Sequence, residues 1–202
     1  DKEIAEISRN LKIDIAIDLL CFTTNNRMGI FSERCAPIQI NYLGYPGTSG
    51  TSFIDYIIAD KILIPKECQK YYSEKIIYLP NTYQARDSSL EISNKTFNRE
   101  KLDLPKNAFV FCCFNQNYKI IPNIFDIWMK LLKHVDGSIL WLLEDNSIAV
   151  KNLRNEAKKR KIAPERIVFA KRMPMADHLA RHECADLFID TFPYGAHTAC
   201  SD

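Results

Sequence analysis

No stretch of the chain approaches the ~20 consecutive apolar residues that a membrane-crossing helix requires, and no signal peptide opens it, so the cytoplasm is the expected compartment. Charge of one sign is also lacking. The 27 Lys and Arg residues nearly balance 25 Asp and Glu, and a formal net charge of +2 gives no reason to expect a nucleic-acid partner. The densest basic run, Lys158-Lys159-Arg160-Lys161, ends a predicted helix, where cations complement the dipole; that reading is preferred to a nucleic-acid or localisation signal. The 7 cysteines include no CxxC pair and are odd in number, which argues against a zinc site and against a disulfide framework. Most sit among apolar residues, as reduced thiols do. Neither the P-loop nor the GxGxxG fingerprint occurs, and no repeat of fixed period is visible. The chain begins at Asp1 without methionine and stops at Asp202 directly after a motif, so it is expected to be a piece of a longer protein.

What the chain does have is alternation. Short apolar runs at 13–19, 37–43, 53–59 and 75–79 read as strands, with short helices at 30–35 and 65–71 between them. After a polar stretch the pattern resumes: strand 109–114, helix 122–134, strand 138–143, helix 148–160, strand 166–169, helix 176–185, strand 187–190. Strands separated by helices predict parallel sheets with helices against them, an α/β architecture. The expected division is a first domain over 1–88, a linker over 89–106 where Ser, Asn, Lys, Asp and Glu dominate, and a second domain over 107–202. A cleft between two such sheets is a usual place for a nucleotide.

Polar segments at strand ends are the candidate sites, because open α/β sheets hold ligands at the carboxyl ends of their strands. Asn115-Gln116-Asn117-Tyr118-Lys119 lies between strand 109–114 and a helix that Pro122 opens. Taken alone, Lys119 reads first as a solvated loop lysine, and second as an ammonium placed to meet a diphosphate. The closing segment carries His197, Thr198 and Asp202 within about one helical turn: hydroxyl and amide donors for phosphate oxygens, and a carboxylate that can accept ribose hydroxyls. His178, alone, is more often an exposed or capping residue. The loop from Leu43 through Gly44, Tyr45, Pro46, Gly47 and Thr48 to Thr51 holds three of the six glycines. Glycine lets backbone pass close to a ligand, and a plain turn explains the loop as well.

The strings LGYPGTSG, FNQNYKI, the early-helix His178 and DTFPYGAHTACSD, in this order and spacing, resemble the catalytic region of the O-linked N-acetylglucosamine transferases of the SPINDLY type. The resemblance extends over nearly the whole chain through DYIIAD, YSEKIIYLP and ILWLLED. It implies two Rossmann-like parallel-sheet domains of glycosyltransferase B type, both incomplete in this fragment. It implies a uridine diphosphate N-acetylglucosamine donor, no metal or other cofactor, serine or threonine of a protein as acceptor, inversion at the anomeric carbon, and tetratricopeptide repeats nearby in the parent.

Carried over position by position, the resemblance gives Lys119 the catalytic role of neutralising the diphosphate leaving group. Gln116 would contact phosphates or sugar, His178 the base and ribose with Arg181 one turn on close by, His197 and Thr198 the phosphates, Asp202 the ribose, and the loop Leu43 to Thr48 the sugar. The sequence departs from the family at Ala199, where a second hydroxyl is usual after Thr198, and at Leu20-Cys21-Phe22-Thr23, where a glycine often precedes the aromatic residue. No general base is assignable, and the fragment alone is expected to be inactive. The rival readings are an O-fucosyltransferase using a guanosine donor, a protein N-glucosyltransferase, and a nucleotide- or peptide-binding module without catalysis.

Overall fold

The computed structural model describes residues 1–202 and divides into two compact units, Asp1–Ala85 and Arg86–Asp202. In the first, β1 (Ile15–Asp18), β2 (Ile38–Asn41), β3 (Tyr56–Ala59) and β4 (Lys75–Tyr78) form a parallel sheet in sequential order. Helix α1 (Lys2–Asn10) precedes it, α2 (Met28–Ser32) joins β1 to β2, and a 3-10 turn over Lys66–Tyr71 joins β3 to β4. Ala5, Phe31, Cys35 and Ile54 make one small core, and Ile57, Ala59 and Ile64 another.

Two polar residues of β2 are fully buried, and the reason is backbone chemistry. The Gln39 amide donates to the carbonyls of Phe31 and Phe53 at 2.9 and 2.7 Å and accepts from Cys35 N at 2.8 Å. Two residues on, and so on the same face, Asn41 donates to the carbonyls of Tyr45 and Gly47 at 3.2 and 3.3 Å. Buried amides are tolerated where they take up backbone groups that would otherwise lie unpaired.

The second unit holds β5 (Val110–Cys113), α3 (Pro122–His134), β6 (Ile139–Leu143), α4 (Ser147–Lys159), β7 (Ile167–Ala170), α5 (Met175–Arg181), β8 (Leu187–Phe188) and α6 (Thr198–Ser201). Its strands are parallel in the order β7-β6-β5-β8. Both faces of the sheet are covered, so β5 and β6 are apolar at every position. Phe111, Cys113, Leu140 and Leu142 face the apolar side of α3, formed by Phe125, Trp128, Met129 and Leu132. Val110, Cys112, Phe114, Ile139 and Trp141 face the other way, onto Leu104, Ala170 and Cys184. Helix α3 starts at Pro122, whose missing N–H costs nothing in a first turn. Asn146 caps α4 by accepting from Ala149 N at 2.8 Å. The basic run closing α4 is a helix end: Arg160 is tied to Asp126 and Glu156, and Lys159 to Glu156 at 2.6 Å.

Three details differ from the sequence reading. No helix or strand forms between Tyr78 and the 3-10 turn at Glu100–Leu102, but the end of the polar stretch is packed. Leu104 is 3% exposed in the second core, and Arg99 donates to Cys184 O and Ala108 O at 3.1 and 2.7 Å and pairs with Asp186 at 2.7 Å. Composition registers the polar majority and not the few apolar side chains that close a sheet face. The helix expected over 176–185 ends at Arg181 and continues as a 3-10 turn, His182–Cys184, that turns Cys184 into the core. Strand β8 stops at Phe188 because the Asp190 carboxylate gathers the amides of Thr191 and Ala196, both at 2.7 Å, and bends the chain.

Candidate functional site

In the second sheet β5 is followed by β6 on one side, while β8 lies on its other side. This reversal of strand order opens a crevice at the carboxyl ends of β5 and β8, the general ligand position of open α/β sheets. The two segments that leave those ends are 115–119 and 190–202. They are joined directly: Asn115, 3% exposed, donates to Asp190 Oδ1 at 3.0 Å and to Thr191 Oγ1 at 2.8 Å. Thr191 Oγ1 in turn donates to Tyr194 O at 2.8 Å.

Lys119 closes a 3-10 turn, Asn117–Lys119, and reaches across the crevice. Its ammonium donates to Gly195 O at 3.0 Å and stands 4.5 Å from the centre of the Tyr194 ring, a cation–π contact. Burial lowers its pKa below the ordinary lysine range, and the Asp190 carboxylate offsets part of that. A Cβ at Gly195 would come within 2.9 Å of Asp190 Oδ2, so the carboxylate that holds Thr191 N and Ala196 N would have to shift. The Tyr194 and His197 rings stack at 5.8 Å, and burial together with the Lys119 charge lowers the His197 pKa.

Beside this turn lies a cavity of about 310 Å³ lined by Phe114, Gln116, Leu143, Arg172, Met173, Met175, His178, Arg181, Thr198, Ala199 and Asp202. Five residues expected from the sequence, Gln116, His178, Arg181, Thr198 and Asp202, thus share one wall-to-wall space, and Lys119 and His197 meet at the adjoining turn. Asp202 is bound by Arg86, Nη2 to Oδ1 at 2.5 Å, and its Oδ2 lies 3.9 Å from His178 Nε2. The segment that carries Arg86 runs along α5: Ser93 N donates to Ala176 O at 3.1 Å and Lys95 pairs with Asp177 at 2.7 Å. Burial, helped by Arg181, His182 and Arg172 against the single carboxylate Asp202, pushes His178 down to about 4. Arg181 is 1% exposed between the Phe114 and Trp141 rings. The vicinal Cys112 and Cys113 thiols beneath are raised by burial to about 12 and about 11, and so are inert.

The loop Leu43–Thr48 belongs to the first unit. Besides Asn41, it is held by Tyr72, whose hydroxyl donates to Pro46 O at 3.2 Å. Glu74, 5% exposed, accepts from Thr48 Oγ1 at 2.7 Å, from Ser49 N at 2.6 Å and from Ser49 Oγ. Burial opposes ionisation of Glu74, but these donors outweigh it and its pKa is lowered. Leu43 has φ 75°, and a Cβ on Gly44 would come 2.1 Å from Leu19 O. The Thr48 hydroxyl is therefore committed to Glu74, and the loop is a fixed shape rather than a loose flap.

Sequence reasoning missed several residues of this arrangement. Asn115, Asp190, Thr191 and Tyr194 lie inside strings that drew attention for their neighbours, and Glu74 inside YSEKIIYLP. Arg86 carried no signal, because nothing in a polar stretch says which arginine folds back onto a carboxylate 116 positions away.

Two parallel sheets, the second with a polar crevice at a strand-order reversal, define an α/β protein of two Rossmann-like units, and the likeness to a solved O-GlcNAc transferase makes the type glycosyltransferase B. The comparisons make this specific: the model of glycosyl transferase family 41 matches residues 2–96 and 87–202, and the chain belongs to that family. The probable UDP-N-acetylglucosamine–peptide N-acetylglucosaminyltransferase SEC of Arabidopsis thaliana is 35% identical over 204 residues, 98% of this chain and 21% of that protein. The probable UDP-N-acetylglucosamine–peptide N-acetylglucosaminyltransferase SPINDLY of Oryza sativa subsp. japonica is 31% identical, over 99% of this chain and 22% of that one. A solved lysine-to-methionine mutant of the O-GlcNAc transferase of Thermobaculum terrenum superposes with a TM-score of 0.83 at 27% identity, covering 96% of this chain and 36% of that one. The chain spans about a fifth of the length of the curated relatives it matches. No helix is long and apolar enough to cross a membrane.

Proposed function

We propose that this chain is the donor-binding part of a protein O-glycosyltransferase that moves N-acetylglucosamine from its uridine diphosphate to a serine or threonine hydroxyl, with inversion and without a metal ion. The observation that carries the reading is the Lys119 ammonium, fixed at 3.0 Å on Gly195 O beside the cavity that His178, Thr198 and Asp202 line. As the glycosidic bond breaks, its electron pair goes to the diphosphate oxygen, and a fixed cation there stabilises the transition state more than the ground state. Lys119 supplies that charge, Gln116, His197 and Thr198 contact the phosphates, His178 the base and ribose with Arg181 behind it, and Asp202 the ribose. Asp202 must then exchange its Arg86 partner for the ribose hydroxyls, or hold both.

In the full-length protein, Lys119→Met should lower turnover with UDP-N-acetylglucosamine and an acceptor protein by at least about two orders of magnitude, the worth of one such donor, while leaving the melting temperature unchanged. Near-normal turnover would end the reading. One observation favours a binding module without catalysis: Ala199, where the family usually has a hydroxyl, lines the cavity. Wild-type protein that binds the donor and neither transfers nor hydrolyses it would establish that alternative, and tighter binding of guanosine than uridine diphosphate would point to fucose transfer.

A further inference from the structure

Arg181 is a buried cation that no carboxylate neutralises. Its Nη1 donates to Lys171 O at 2.6 Å and its Nη2 meets His178 Nδ1 at 2.6 Å, while aromatic faces of Phe114 and Trp141 cover it at 4.7 and 5.7 Å. Burying a guanidinium without a paired anion is costly, so what this one does to its imidazole neighbour matters.

A guanidinium has donors only. The nitrogen it meets must therefore present a lone pair, which leaves the ring proton of His178 on Nε2. That nitrogen faces Asp202 Oδ2 at 3.9 Å. The same logic runs one turn further on: His182 Nδ1 meets His178 O at 2.7 Å, an acceptor only, so His182 carries its proton on Nδ1. We propose that Arg181 is a positioning residue for His178, holding the imidazole neutral with its proton on Nε2, so that the cavity receives a donor there and not a charge. This rests on the nucleotide-site reading above.

The reason for a neutral ring lies in its other neighbour. A protonated His178 would close onto Asp202 and take from the nucleotide the carboxylate proposed to accept its ribose hydroxyls. The charged groups facing the ring are Arg181 and His182 on α5 and the turn after it, Arg172 after β7, and Asp202 at the end of α6, with Arg86 paired to Asp202. Burial above all, and the positive side of this set after it, oppose protonation, and only Asp202 favours it. Arg181 makes the direct hydrogen bond, so protonation at Nδ1 would set two donors 2.6 Å apart. Removing it should raise the His178 pKa, while burial, the largest cause of the depression, remains.

The test measures exchange of individual histidine C2 protons by mass spectrometry on the full-length protein without nucleotide, from about pH 5 to about pH 8. Wild-type His178 should show no titration in that window, and Arg181→Leu should raise its pKa so that the onset of titration appears at the acid end. In parallel, affinity for UDP-N-acetylglucosamine, whose diphosphate diester does not titrate there, should be flat in the wild type. In Arg181→Leu it should fall by about tenfold per pH unit below the new pKa. A purely packing role for Arg181 would weaken binding equally at every pH.

Wild-type His178 titrating near its ordinary value overturns the proposal without any variant, as does a cooperatively melting Arg181→Leu in which His178 titrates no differently. If Arg181→Leu does not fold, His178→Gln decides. It keeps a neutral donor and acceptor, so its affinity falls with the lost base contact but its pH profile should stay flat; a pH dependence seen in the wild type and abolished by His178→Gln refutes the idea. Failure of the wild type to bind the nucleotide sugar would sink the proposed function and leave the titration result standing.

Discussion

Glu74 offers the sharpest test of how the first unit fixes its glycine-rich loop. Its carboxylate is 5% exposed and accepts from Ser49 N, Thr48 Oγ1 and Ser49 Oγ with no cation beside it. Each hydrogen bond to a charged group contributes roughly 1.5–3 kcal/mol, so three would sum to about 6. That sum is too large for Glu74→Ala, because the two hydroxyls have other partners within reach: Ser49 Oγ lies 3.1 Å from Thr51 Oγ1, and Thr48 Oγ1 3.1 Å from Ser73 Oγ. The Ser49 amide loses its acceptor outright, and the expected cost is about 3 kcal/mol, near the upper end for one buried unsatisfied donor. Glu74→Gln, which keeps one acceptor oxygen, should cost about 1 kcal/mol.

Hydrogen exchange over 43–51 reads this directly. About 3 kcal/mol corresponds to a loss of about a hundredfold in protection of Ser49, and Glu74→Gln to less than tenfold. The sign with pH is also set. A carboxyl whose folded pKa is lowered stabilises the fold above the ordinary glutamate value and loses that contribution as pH falls through its own. Wild-type protection, corrected for intrinsic exchange, should therefore decline on acidification below about pH 4.5, and Glu74→Gln should not follow it. Protection of Ser49 unchanged within threefold in Glu74→Ala would refute the account of the loop.

Gly44→Ala should displace the same loop, because the new Cβ would stand 2.1 Å from a backbone oxygen, Leu19 O, that cannot swing aside; a loss of about 2–3 kcal/mol in denaturant unfolding is expected. Gly50→Ala is the control: nothing lies within 4 Å of its Cβ and only its φ of 64° is unfavourable, so about 1 kcal/mol is expected, and equal effects from the two would contradict the steric argument. In the second unit, Tyr194→Phe keeps the ring under the Lys119 ammonium, whereas Tyr194→Leu should lower turnover about five- to tenfold beyond the Phe variant, the value of a partly buried cation–π contact. Equal turnover of the Phe and Leu variants would show that the ring face does not hold the lysine.

The order of strands and helices was legible because apolar runs and their spacing are local properties. Helix Pro122–His134 has the predicted bounds, since proline at its start and Ile124, Ile127, Trp128, Leu131 and Leu132 at helical spacing are written in the chain, but the buried face is Phe125, Trp128, Met129 and Leu132, and Ile127 stands exposed. The boundaries that moved are those set by distant partners. Arg99 and Leu104 belong to the second core through Asp186 and Cys184, and β8 is cut short by what Asp190 binds. At the site, polar residues at strand ends marked where a ligand belongs, but nothing local told Lys119 from a solvated lysine. Its partners are Gly195 and Tyr194, more than seventy positions on, and the strand order β7-β6-β5-β8 that makes them neighbours is no property of any short window.

That strand order also fixes when the crevice can exist. Chains emerge from synthesis amino end first, so β5, β6 and β7 can pack with α3 and α4 while Leu187 onward is still being made. Only when β8 docks on the open flank of β5 do Asn115 and Thr191 bond and Lys119 acquire Gly195. A chain cut before Leu187 would keep most of its core and have no anchor for the lysine, so affinity for a nucleotide would act as a reporter of completed folding.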